Sequence, residues 1–133
     1  MWRELNYYDK QERGDIAMNT EVATLVKAIN QKLHLLDPQV VSLILFGSFA
    51  RNEQTIYSDF DIAVVFAADI KVSKGYLTQF REDMEDAIEK RHRKIGWFPT
   101  NEFKLKNATH LFDTNTRIRE EGITLWKQTA TLP

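Results

Sequence analysis

The stretch from Val41 to Phe66 reads VSLILFGSFARNEQTIYSDFDIAVVF. It splits into an apolar run, Val40–Phe46, a Gly47-Ser48 turn, a polar connection and a second apolar run, Ile62–Phe66. Asp37-Pro38 bounds the first run, and Ser58-Asp59-Phe60-Asp61 leads into the second. Continuous apolar runs rich in Val and Ile predict strands buried on both faces. Asp59 and Asp61 are two apart, so on a strand they share a face. Carboxylates side by side repel and would weaken an ordinary sheet. They are tolerable at a strand end facing solvent, or beneath a divalent cation. Ligands made only of oxygen suit a hard ion such as Mg²⁺, which takes one or two carboxylates together with substrate phosphates.

Gly47-Ser48, ten intervening residues and Asp59-Phe60-Asp61 form the pattern G-S-x10-D-x-D. Ala50, Arg51 and Ser58 extend it. With a buried apolar strand on each side, the stretch resembles the DNA polymerase β-type nucleotidyltransferase superfamily. At this length it is similar to a minimal nucleotidyltransferase (MNT). The bland alternative is a Gly-Ser turn beside two unrelated surface aspartates. Asn52 stands where that family usually has Gly, a mild departure because Asn tolerates a left-handed turn.

Composition bounds the rest. The 133 residues suit one domain with a real core. Hydrophobic residues at 43% and charged residues at 28% describe an ordinary globular protein. No run approaches a membrane span, and the first residues lack the apolar core of a signal peptide. The absence of cysteine excludes disulfides and thiolate metal sites, and a cytoplasmic protein is the simplest reading. A formal net charge of −1 offers no global field for nucleic acid.

Outward from the signature, Glu21–Leu36 carries Val22, Leu25, Val26, Ile29, Leu33 and Leu36 at helical spacing, and Asp37-Pro38 stops it. Residues 1–17 show no periodicity and read as an N-terminal arm, with 18–133 as the domain. Trp2, Tyr7 and Tyr8 of that arm either pack on the domain or a second subunit, or belong to a loosely attached segment. A second helix is expected from Ser73 to about His92, with Leu77, Phe80, Met84, Ala87 and Ile88 on its buried stripe. The basic run Lys90–Lys94 reads as a solvated helix end; the competing reading is an electropositive rim. Ile95–Phe98 reads as a short strand closed by Pro99, with Trp97 and Phe98 in the core. Glu102–Leu125 suggests two short helices, the second capped by Asp113 and ended by Gly122. Neither His34 nor His110 belongs to a ligand cluster.

The expected architecture is α/β: a small mixed sheet with helices packed mainly on one face. The resemblance implies nucleotidyl transfer. Gly47 and Ser48 would hold phosphates of a nucleoside triphosphate, ATP by preference. Asp59 and Asp61 would be the catalytic pair holding Mg²⁺. Arg51 either supports the triphosphate or is a surface residue of the turn. In the family, the strand beside D-x-D often carries a third carboxylate. Here Gly96 takes that register position, and Glu102 is the nearest acid. MNT proteins are often antitoxins of HEPN ribonuclease toxins, which implies AMP transfer to a tyrosine of such a partner. Two alternatives stay open: a scaffold that neutralises a toxin by contact alone, and transfer to a small molecule such as an aminoglycoside. A homo-oligomer is compatible with either. A membrane role and a nucleic-acid polymerase are disfavoured.

Overall fold

The computed structural model describes residues 5–6, 20–71, 78–79, 81–82 and 93–128. In chain order the elements are β1 (Leu5–Asn6), α1 (Thr20–Gln31), a 3₁₀ turn (Leu33–Leu35), β2 (Val40–Phe46) and β3 (Phe60–Phe66). They continue with β4 (Ile95–Asn101), α2 (Glu102–Asn107), α3 (Thr114–Glu121) and β5 (Ile123–Lys127). Among the described residues the strands form one five-stranded sheet in the order β1-β5-β2-β3-β4. β5, β2 and β3 are successively antiparallel, while β1 runs parallel to β5 and β4 parallel to β3. The expected mixed sheet is therefore present.

β2 and β3 lie at the centre because every residue from Leu43 to Leu45 and from Ile62 to Val65 can be buried on one face or the other. Leu43, Leu45, Ile62 and Val64 meet Val22, Leu25, Val26 and Ile29 of α1 in the larger core. Ile44, Phe46, Ala63 and Val65 meet Leu105 of α2 and Ile118 of α3 in a smaller core on the opposite side. The alternation along each strand sorts the two sets.

Four boundaries differ from the expectation. β3 begins at Phe60, two residues before the apolar run, and so includes Asp61. The first helix stops at Gln31, not Leu36. Lys32 N–H donates to the Ile29 carbonyl, and Leu35 and Leu36 N–H repeat that tighter three-residue pattern. Leu33 and Leu36 still pack on the core, which is why the apolar stripe outruns the helix. β4 runs through Pro99 to Asn101. Among the described residues it is an edge strand with one neighbour, so an outward-facing missing N–H at Pro99 breaks no ladder there. The end of the chain's core is a strand, Ile123–Lys127, between β1 and β2. Gly122 ends α3 as expected, with φ −64. What demands glycine there is closeness: a Cβ would lie 2.3 Å from the Ile118 carbonyl oxygen and 2.5 Å from Ile44 Cγ2.

Other expectations hold or fall outside the described residues. Asp113 caps α3 by accepting from Asn115 N–H. Trp97 and Phe98 pack against the two cores, Phe98 edge-on to Phe46 at 6.1 Å. Within the expected second helix, Thr78, Gln79, Arg81 and Glu82 are helical and exposed, off the predicted apolar stripe. That stripe, together with Lys90–His92, Trp2, Tyr7, Tyr8 and the boundary at Met18, lies outside the described residues. Leu5 and Asn6 register with Ile123 and Thr124, so the arm contributes an edge strand at that point.

Candidate active site

The site forms where β2 ends and β3 begins. Antiparallel pairing sets Phe46 opposite Asp61, so the Gly-Ser turn leaves β2 beside the carboxylate pair. Gly47 has φ +75, a left-handed backbone that favours a residue without Cβ. It has a second reason to be glycine: a Cβ would lie 2.3 Å from Asp61 Oδ2. The chain then coils into a helical turn, with Arg51 N–H bonded to the Gly47 carbonyl and Glu53 N–H to the Ser48 carbonyl. Asn52 closes it at φ 58, a left-handed conformation that Asn tolerates. The Ser48 N–H and hydroxyl donate to no protein group among the described residues.

Asp59 is exposed, just ahead of β3, and Asp61 is half-buried within it. Burial, and then the Asp59 charge, push the Asp61 carboxyl above the usual carboxylate range. Arg117 and Arg51 oppose this, and Glu121 adds to it. On the other side of Asp61, parallel pairing sets Gly96 directly opposite. A Cβ built there would lie 3.3 Å from Asp61 Oδ1, so the register read from the sequence is correct and any side chain at Gly96 would press on the Asp61 carboxylate. Glu102 is at the far end of the same strands, where its Oε1 accepts from Ala68 N–H at 2.9 Å. It is no third ligand. Among the described residues, no three His, Asp or Glu side chains gather as a metal set. The Asp59–Asp61 pair fits an ion that completes its shell with phosphate oxygens.

Arg51 is placed differently from a free phosphate ligand. Its guanidinium bonds both oxygens of Glu121 at 3.0 Å and Glu53 at 3.1 Å. These bonds, Glu121 first, hold it above its ordinary basicity. Glu121 Oε1 also accepts the Gly47 N–H at 3.1 Å.

Arg93 is a second ion pair absent from the sequence reading. Its guanidinium donates to Glu21 of α1 and to the carbonyls of Thr55 and Ser58, and stacks 5.0 Å over Phe49. One residue of the basic run therefore turns inward. It ties α1 to the connection that delivers Asp59.

A cavity of about 220 Å³, lined by Ile70, Lys71, Pro99, Thr100, Asn101 and Lys104, opens at the opposite end of β3 and β4. The carboxylate pair is not in it.

A left-handed Gly-Ser turn thus closes β2 beside an aspartate pair at the start of β3. The chain matches the nucleotidyltransferase domain family over residues 23–120, and it belongs to that family. No curated protein matches it. Among solved structures it is similar to a toxin–antitoxin with AMP-PNP, at 20% identity and TM-score 0.55, over 77% of this chain and 73% of that one. It is also similar to a mutant of the toxin–antitoxin MntA–HpeT, at 16% identity and TM-score 0.50, over 80% of this chain and 72% of that one. At these identities the likeness is one of fold. Among the described residues, no helix is long and apolar enough to cross a membrane.

Proposed function

We propose that this chain is a Mg²⁺-dependent nucleotidyltransferase that moves AMP from ATP to an acceptor hydroxyl, a tyrosine of a HEPN-type toxin partner in the cytoplasm. The observation that carries the reading is the meeting of Gly47-Ser48 with Asp59 and Asp61 across one strand pair. The family match supports nucleotidyl transfer, and the AMP-PNP of the similar toxin–antitoxin supports an adenine nucleotide. We take 18–133 as the catalytic domain and 1–17 as its arm.

In this reading the acceptor oxygen attacks the α-phosphorus of ATP. The bond to the oxygen bridging the β-phosphate breaks, pyrophosphate leaves, and the hydroxyl proton goes to solvent. Ser48 offers its N–H and hydroxyl to the β- and γ-phosphates. Asp59 and Asp61 would hold Mg²⁺, which when bound neutralises phosphate charge and assists the leaving group. Asp61, held above its usual range by burial and Asp59, favours a cation beside it. Arg93 keeps the connection before Asp59 in place.

Gly96 favours a second reading, in which the same fold neutralises its partner by contact alone. No third acid flanks Asp61 on β4, where the resemblance implies one. One experiment separates the two. The chain is incubated with ATP, Mg²⁺ and a purified HEPN-type toxin, and the toxin's intact mass and modified residue are read by mass spectrometry. AMP on a toxin tyrosine, lost with Asp59→Ala/Asp61→Ala, supports transfer. Neutralisation without any mass change supports contact alone.

A further inference from the structure

Glu121 holds two of the groups that a triphosphate would use. Its Oε1 accepts the Gly47 N–H at 3.1 Å, and both its oxygens accept from Arg51 at 3.0 Å. The side chain is only 19% exposed, whereas that of Arg51 is 39% exposed and keeps one edge to solvent. Gly122 anchors the arrangement: it touches Ile118 and Ile44 too closely for any Cβ, so the residue before it has little freedom to drift. A carboxylate bonded to a backbone N–H and a guanidinium satisfies them as a phosphate oxygen would. By contrast the Ser48 donors, next along the same turn, have no protein partner among the described residues.

Resting on the nucleotidyltransferase reading above, we propose that Glu121 is a resident anion that competes with the polyphosphate tail of the nucleotide for Gly47 N–H and Arg51, and so sets triphosphate affinity. In the nucleotide-free chain, Glu121 keeps the turn satisfied. On binding, the β- and γ-phosphates take Ser48 first and then exchange with the Glu121 carboxylate on the other two donors. The effect belongs to the polyphosphate tail: a nucleoside monophosphate, too short to reach both donors, is insensitive to it.

The test is Glu121→Gln, which keeps the shape and an acceptor but removes the charge. Binding of AMP-PNP, tripolyphosphate and AMP is titrated with Mg²⁺ in wild type and variant. AMP-PNP and tripolyphosphate should each bind about tenfold tighter to the variant, as removing one close negative charge predicts, with AMP unchanged. Equal or weaker polyphosphate binding by Glu121→Gln overturns the proposal and makes Glu121 a brace of the turn. A gain that AMP shares equally also overturns it. Absence of AMP-PNP binding in both chains overturns the nucleotide site itself, and this inference with it. Should the variant not fold, the wild-type chain still decides: the Gly47 amide resonance must move on adding tripolyphosphate, and an unmoved amide refutes the exchange.

Discussion

Gly47→Ala probes the junction on which the site depends. Gly47 has φ +75, and a left-handed L-residue costs roughly 1–2 kcal/mol. The new methyl would also lie 2.3 Å from Asp61 Oδ2 and 3.2 Å from its Cγ. The carboxylate would have to retreat by about 1 Å, and overpacking of that kind costs about 1–3 kcal/mol. The total, about 2–5 kcal/mol, corresponds to a fall of roughly 7–18 °C in Tm for a domain of this size. The two parts separate in an Asp61→Ala background. There the atoms at 2.3 and 3.2 Å are gone and only Asp61 Cβ remains, at an ordinary 3.4 Å. Gly47→Ala should then cost only the backbone part, giving a coupling of about 1–3 kcal/mol between the two positions. Urea denaturation of the four chains measures it. The same cost in both backgrounds would refute the contact between turn and carboxylate. So would Gly47→Ala retaining wild-type Mg²⁺-dependent nucleotide binding.

The Asp61 carboxyl is raised in the folded chain, so its contribution to stability is full below the unfolded carboxyl range and is lost as pH rises through its folded value. Without Mg²⁺, wild type should therefore lose stability relative to Asp61→Asn as pH increases from about 4; denaturation midpoints that run parallel across pH would contradict this. Gly96→Asp adds a carboxylate beside Asp61 Oδ1, and it should raise single-turnover AMP transfer to the toxin with little change in ATP affinity. A wild type that already transfers quickly, slowed by that change, would show that no third acid is needed. Arg93→Lys removes the planar fork across Glu21, Thr55 and Ser58, so hydrogen exchange at 55–59 should quicken and Mg²⁺-dependent nucleotide affinity fall. Unchanged exchange there would sink the bracing role.

The parts of the fold legible in sequence are those set by local pattern. Val40–Phe46 and Ile62–Phe66 announce buried strands because both faces are apolar; the first occurs as expected, and the second begins two residues earlier, at Phe60. Asn52 announces its left-handed turn, and Gly96 its place opposite Asp61, because register follows from the pairing of two apolar runs. Pro99 misleads because its effect depends on whether a strand is at an edge, which only the assembled sheet decides. Leu33 and Leu36 mislead because burial and helicity part company at Gln31.

The polar wiring of the site is the least legible part. Arg51 meets Glu121 across 70 positions, and Arg93 meets Glu21 across 72. Either arginine read alone resembles any surface cation. A signal for Glu121 did exist in the run Glu120-Glu121-Gly122, acidic residues at a helix end, but its target could not be read without the β2–β5 pairing.

The proposed function requires Asp59, Asp61 and the Gly-Ser turn to form one metal-dependent nucleotide site. Titration calorimetry of ATP against the full chain, with and without Mg²⁺, tests this most directly, with a folded Asp59→Ala/Asp61→Ala chain alongside. The predicted result is saturable binding that needs Mg²⁺ and vanishes in the double mutant. Equal binding by the folded double mutant, or binding indifferent to Mg²⁺, would contradict it.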